Sequence, residues 1–248
     1  MKIQFLALSL AAICLAGVSR AETEPPAAVK EAMLLPPGNA RNNAIAAAVQ
    51  PWAEQDPATA GQWAAQLPAG DDQRVALSRI SSTWFRKDQA AAIKWAEALP
   101  EGKARNSTLG SVAASWTRKD PEACGKWVLQ FPEGPVRYAP LTELVSIWSQ
   151  KAPEATAQWI QQLPRGETQN RAYALLGVFW TQKSPEAATK WAMQLADEGA
   201  RNQALTGVAV GWSKNPAEAT QWINQSSLPD ATKAMFLQSL ERKQLFFK

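Results

Sequence analysis

The chain has 248 residues, 46% of them hydrophobic and 19% charged, a balance that supplies a sizeable core and excludes an intrinsically disordered chain. It has no histidine, which removes the commonest general base and the commonest metal ligand together. Its 26 basic and 22 acidic residues give a net charge of only +4, and without a clustered basic face this does not point to nucleic acid.

The first element is "MKIQFLALSLAAICLAGVSRA", in which Lys2 precedes an apolar run from Ile3 to about Val18, and Ser19 and Ala21 are the small residues before a cut. That order predicts a secretory signal peptide over residues 1–21 and an exported mature chain, periplasmic or extracellular, beginning near Glu22. Cys14 precedes Leu-Ala-Gly instead of following such a stretch, so the order expected of a lipid-modified cysteine is missing. No later stretch approaches about 18 apolar residues, so no membrane span is expected after cleavage. Removing residues 1–21 takes away Lys2 and Arg20 and no acid, leaving 24 basic and 22 acidic residues. Cys124 is then the one cysteine, and no internal disulfide can form.

After a leader or N-terminal cap over 22–34, the sequence repeats. One tryptophan recurs every 32 residues as Trp52, Trp84, Trp116, Trp148, Trp180 and Trp212. A second recurs as Trp63, Trp95, Trp127, Trp159, Trp191 and Trp222, with one residue lost in the last copy. A Leu/Phe-Pro-x-Gly turn marks each start at 35, 67, 99, 131 and 163, and decays to Leu-Ala-Asp-Glu-Gly at 195. Six units follow, over about 35–66, 67–98, 99–130, 131–162, 163–194 and 195–225.

Each unit predicts two helices. In the third, Leu109, Val112, Ala113 and Trp116 lie at i, i+3, i+4 and i+7, the stripe of an amphipathic helix. Asp120-Pro121-Glu122 then opens a second helix: Asp caps, Pro suits the first position and an acid suits the positive end. Its expected inward positions are Ala123, Trp127 and Leu129 or Phe131, with Cys124 a small buried side chain where other units carry Ala60, Ala92 and Ala188. Asp56-Pro57, Ser184-Pro185 and Asn215-Pro216 repeat the start, while Asp88-Gln89 and Ala152-Pro153 depart from it. Pro140 is expected to delay the first helix of the fourth unit by about a turn, since proline is tolerated only in an opening turn. The tail over 226–248 predicts a capping helix with Met235, Phe236 and Leu240 inward.

Trp116 lies five residues before Pro121 and Trp127 six after it, so in a hairpin the two indoles stand at similar height and can meet. A 32-residue hairpin cannot bury its own apolar face and must stack on its neighbour, which predicts a column of rings along an all-α, right-handed solenoid of six hairpins. These tryptophans could form an exposed platform for sugars or a core. The core reading is favoured, because the helices are alanine-rich and each indole can remove about 150–250 Å² from water.

The period resembles that of the helical-hairpin solenoids, the tetratricopeptide class most nearly, over residues 35–225. Proline here begins the second helix at Pro57, Pro121 and Pro185, whereas in that class it ends the second helix. The units also look like those of exported bacterial repeat proteins with tandem Leu-Pro-x-Gly…Arg…Trp…Asp-Pro…Ala…Trp patterns. Protein-binding scaffolding is what the resemblance implies.

No phosphate loop or nucleophile elbow appears, and Asp56, Asp88, Asp120, Glu122, Glu154 and Glu186 stand beside turns where capping explains them. No enzyme activity, cofactor or metal is expected. Two polar patterns remain. Arg41, Arg105, Arg137 and Arg201, with Arg74 and Arg171 displaced by one or two residues, form a column for anions or for pairing between units. Gln62, Lys94, Lys126, Gln158, Lys190 and Gln221 precede the second tryptophans. Gln66, Gln130, Gln162, Gln194 and Gln225 follow four residues later, on the same helical face. That stripe is the expected partner surface, for a protein or peptide, or else for a glycan.

Overall fold

The computed structural model describes residues 24–212, 216–225 and 228–246, without the side chains of 235, 239 and 241–246. The signal segment 1–21 and the inward placement of Met235 lie outside the described residues. Those described are all-α, without a strand, and form fourteen helices rather than the twelve that six hairpins would make.

Twelve helices alternate long and short. The longer are α2 (Asn39–Gln55), α4 (Asp71–Lys87), α6 (Lys103–Thr117), α8 (Pro135–Lys151), α10 (Glu167–Thr181) and α12 (Glu198–Trp212). The shorter are α3 (Pro57–Gln66), α5 (Gln89–Ala98), α7 (Pro121–Val128), α9 (Pro153–Gln161), α11 (Pro185–Gln194) and α13 (Pro216–Gln225). Flanking them are α1 (Ala27–Met33) and α14 (Asp230–Phe246). The α1 helix lies one 32-residue period before α3, with Glu24-Pro25 at the register of Asp56-Pro57 and Glu31 in place of Trp63. It buries Val29 and Ala32 against α2. Without its tryptophan it gives no signal to the eye that follows indoles. In α14, Phe236 and Leu240 are buried, and the helix packs against α12 and α13.

The caps follow the side chains. Asp56, Asp88 and Asp120 accept from the backbone N–H groups of Thr59, Ala91 and Ala123 at 3.0, 3.0 and 2.9 Å. The Thr59 hydroxyl and N–H together hold the Asp56 carboxyl below its ordinary value. Ala152 and Ser184 start their helices without a side-chain cap, so Pro153 and Pro185 at the first position suffice there. The turns before the long helices need glycine where the backbone is left-handed, as at Gly102 (φ 147°) and Gly134 (φ 132°).

Two local expectations change. The α8 helix begins at Pro135, in register with its counterparts, and runs through a buried Pro140. Pro140 forfeits one backbone bond, but Pro135 already supplies the pre-set first residue, and Leu141, Leu144 and Val145 are fully buried directly after it. In α7 and the turn after it the buried set is Cys124, Trp127, Val128 and Phe131, while Ala123 and Leu129 are half-buried.

Each long helix packs against the next long helix, from α2 through to α12 and on to α14, and each short helix packs against the long helices on either side of it in sequence. No two short helices are in comparable contact among the described residues. The long helices meet backbone to backbone: a Cβ placed on Gly207 would lie 2.0 Å from the Ala174 carbonyl oxygen, and one on Gly177 2.4 Å from that of Ala204. Small residues in these helices are thus what lets α10 and α12 touch.

Gly207→Ala is therefore expected to destabilise by at least about 1–3 kcal/mol, because the atom it meets is backbone and must move. Gly110→Ala meets nothing nearer than the Glu143 Cγ at 3.5 Å and should be neutral or stabilising by up to about 1 kcal/mol through helix propensity. Denaturant unfolding of the two variants measures this, and equal losses would contradict the close approach at Gly207.

Candidate functional site

The two tryptophans of every unit meet. Centroid distances are 5.5 Å for Trp52–Trp63, 5.3 Å for Trp84–Trp95, 5.6 Å for Trp116–Trp127 and 5.7 Å for Trp148–Trp159. Trp180–Trp191 and Trp212–Trp222 lie at 5.4 and 5.0 Å. All are tilted, the arrangement that aromatic quadrupoles favour over a face-to-face sandwich. No tryptophan pair joins successive units among the described residues, so the rings form six separate pairs rather than a continuous column. What separates them is small: a Cβ on Gly61 would lie 2.8 Å from Trp95, and one on Gly125 3.0 Å from Trp159. Each of these indoles seats on the bare backbone of the preceding unit.

Trp52, Trp127, Trp148, Trp180, Trp191 and Trp212 are buried. Trp63, Trp84, Trp95, Trp116, Trp159 and Trp222 are half-buried. Trp127 also donates from Nε1 to the Glu97 carboxylate at 2.7 Å.

Every member of the Gln/Lys stripe is exposed: Gln62, Lys94, Lys126, Gln158, Lys190 and Gln221, and likewise Gln66, Gln130, Gln162, Gln194 and Gln225. Two grooves between neighbouring short helices gather part of it. One, of about 480 Å³ between α7 and α9, is lined by Glu122, Lys126, Leu129, Trp159, Gln162 and Pro164, with Gln158 beside them. The other, of about 600 Å³ between α11 and α13, has Glu186, Lys190, Met193, Trp222, Gln225 and Pro229, with Gln194 beside them. Position by position the two walls repeat acid, lysine, aliphatic floor, indole edge and amide, and each groove also has a proline. Sequence inspection missed the acid and the aliphatic floor, which become visible only when the columns on either side of the lysine row are read together. Gln62, Gln66, Lys94, Gln130 and Gln221 are exposed outside these two grooves.

The arginine column is engaged internally. Arg41, Arg137 and Arg201 donate to the carbonyls of Leu35, Phe131 and Leu195, in each case six residues back, with Arg41 to Leu35 at 3.0 Å and Arg137 Nε to Phe131 at 2.7 Å. These carbonyls close the preceding short helix or turn, where orphan acceptors and the negative end of the helix favour a cation. Arg41 also pairs with Asp72, and Arg137 donates to Thr168 Oγ1 at 2.8 Å, each reaching into the next unit. Arg105 pairs with Glu101 at 3.9 Å, and its buried Nε has no partner.

The second and fifth units fill the same position with glutamine. Gln73 donates to the Leu67 and Ala65 carbonyls at 2.9 and 3.2 Å, and Gln169 to those of Leu163 and Ile160 at 3.0 and 3.1 Å. Arg74 and Arg171 are not displaced members of the column. Arg74 pairs instead with Asp71 at 2.9 Å, and Arg171 lies over the Tyr138 ring. Counting 32 from Arg41 finds Gln73 and Gln169; searching for arginine does not.

Cys124 is fully buried and burial pushes its thiol up to about 12. Among the described residues no three of Cys, Asp and Glu gather as a metal would require, and no helix is long and apolar enough to cross a membrane. No family model, no curated protein and no solved structure matches the chain.

Gln169→Ala should cost about 1–3 kcal/mol, since it leaves two carbonyls without their donor, whereas Gln169→Arg should cost less because arginine serves that position elsewhere. Chemical denaturation checks the order of the two, and the reverse order would remove the shared role. The Cys124 thiol should resist thiol reagents at pH 8 until the chain unfolds. Its raised value means that the stability it contributes is full below the unfolded thiol value near 9 and is lost as pH rises towards about 12. Labelling of folded protein as fast as of unfolded protein would contradict this.

Proposed function

We propose that this chain is an exported, non-catalytic scaffold that binds a protein or peptide partner along the grooves between its short helices. In this reading the helices form a right-handed α-solenoid of six hairpins closed by the C-terminal helix, as in the helical-hairpin class the period resembles. The observation that carries it is the recurrence, two units on, of one groove chemistry: Glu122, Lys126 and Leu129 against Glu186, Lys190 and Met193, 64 residues apart, and Trp159 and Gln162 against Trp222 and Gln225, 63 apart. A surface repeated at fixed intervals suits a ligand that itself repeats at fixed intervals, and a polypeptide backbone does so. The carboxylate and ammonium fix polar groups, the amide takes a backbone N–H or C=O, and the aliphatic floor with the indole edge takes an apolar side chain.

The absence of histidine and the buried, protonated Cys124 support a role without catalysis. The composition of residues 1–21 supports export. A glycan partner is the second reading, favoured by the half-buried edges of Trp159 and Trp222 beside glutamine amides.

Panning of the immobilised chain against a random peptide library tests the proposal. Enriched peptides should lose about tenfold or more in affinity for the triple variant Lys126→Glu, Gln158→Ala, Gln162→Ala. Melting should barely move, since exposed positions shift stability by about 0.5 kcal/mol or less. Enrichment of chitin or peptidoglycan fragments on a parallel glycan array, with no peptide recovered, would transfer the site to the glycan reading. Peptide binding unchanged in the triple variant but lost in a still-folded Arg105→Glu, Arg137→Glu variant would place recognition on the arginine column.

A further inference from the structure

The long helices carry a second concavity, independent of the grooves between short helices. It holds about 440 Å³ and is lined from α2, α4, α6 and α8 by Ala46, by Arg74, Arg79 and Arg118, by Ser78, Ser82, Ser111 and Ser115, and by Glu143. Arg79, Ser111 and Glu143 stand at one register, 32 apart. On the same register the later units carry Leu175 and Gly207, so the polar chemistry is confined to the α4–α8 region of this row.

Its donors are two guanidinium groups without an ion pair. Neither Arg79 nor Arg118 has a carboxylate within 4 Å among the described residues. Arg79 reaches Gln50 Oε1 at 3.5 Å, and Arg118 donates to the Ala114 carbonyl of its own helix at 2.7 Å. Each group has five N–H donors, so most remain available. Arg74 is already occupied by Asp71. Three of the serines use their hydroxyl protons internally, Ser82 on Arg79 O, Ser115 on Ser111 O, and Ser111 on Ser107 O or Ser78 Oγ, so that Ser78 Oγ is an acceptor. They keep the wall small and polar, and the positive charge of the site is carried by the arginines.

We infer that this concavity is a docking site for carboxylate side chains of an acidic peptide segment, held by Arg79 and Arg118. The fork of a guanidinium matches a carboxylate with two parallel hydrogen bonds. Glu143 opposes the two arginines. Its carboxyl lies in the same concavity, half-buried and without an ion pair, and desolvation raises it while Arg118 opposes that rise. Attraction to the two guanidinium groups and repulsion from Glu143 both grow with the charge of the ligand, so Glu143 weakens the site for any anion and its neutralisation strengthens binding. Two arginines on neighbouring units set a peptide carrying several acids above a single free ion.

Fluorescein-labelled hexaglutamate, followed by anisotropy at low ionic strength, is the probe. The full chain should bind it. The Arg79→Gln, Arg118→Gln variant should bind about tenfold or more weakly with an unchanged melting curve, as removal of charge-assisted contacts implies. Glu143→Gln should bind more tightly than the parent. An Arg165→Gln, Lys183→Gln variant removes the same charge from exposed positions elsewhere and should bind within about twofold of the parent, because screened surface charges act weakly at a distance. No binding by the full chain, equal losses in both charge-removing variants, or weaker binding by Glu143→Gln would overturn the inference. Displacement of the peptide by sub-stoichiometric pyrophosphate at matched ionic strength would overturn the assignment to carboxylates.

Discussion

Two helices of about 15 and 10 residues present more apolar surface than they can hide from water by themselves, and this constraint shapes the chain. Alanine removes little area, so the energy of association must come from a few large side chains. Two indoles per unit supply it. Each pair locks a long helix to the short one after it, and the second indole of a unit seats on the unit before, over Gly61 or Gly125 where the fit is closest. The glycines and alanines that seem too weak to hold a fold are what allow the backbones of α10 and α12 to touch and the rings to seat.

Once the apolar problem is solved inside, the polar groups divide. Those at the turns serve the backbone: Asp56, Asp88 and Asp120 satisfy helix starts, and Arg41, Gln73, Arg137, Gln169 and Arg201 satisfy the carbonyls of the turns before their helices. Arginine and glutamine are interchangeable there because the task is to donate to carbonyls, and charge is secondary to reach. The proposed recognition surfaces lie elsewhere: the Glu, Lys and Gln walls of the grooves between short helices, and Arg79 and Arg118, which have no ion pair, between long ones.

Much of the helix order was legible in the sequence because tryptophan is rare and its 32-residue spacing is unmistakable. The Asp-Pro starts and the i, i+3, i+4 stripe of Leu109, Val112 and Ala113 led directly to helices and a core. The α1 helix escaped because Glu31 replaces the marker residue, and Pro140 misled because a local rule about proline was set against the burial of Leu141, Leu144 and Val145, which outweighs it. The exposure of the Gln/Lys stripe follows from its spacing, but its partners in the groove come from the next short helix, and sequence spacing along one helix says nothing about that neighbour. A concavity made by four long helices, such as the one around Arg79 and Arg118, has no local signature at all.

The fold stands on the indole pairs being a core. Acrylamide quenching of tryptophan fluorescence addresses this directly, in the native chain and in concentrated guanidinium. Packed pairs predict native emission blue-shifted from the unfolded chain, a quenching slope several-fold shallower, and a single cooperative change in both on unfolding. Native emission and quenching equal to those of the unfolded chain would mean that the rings face water, and the core described here would be wrong.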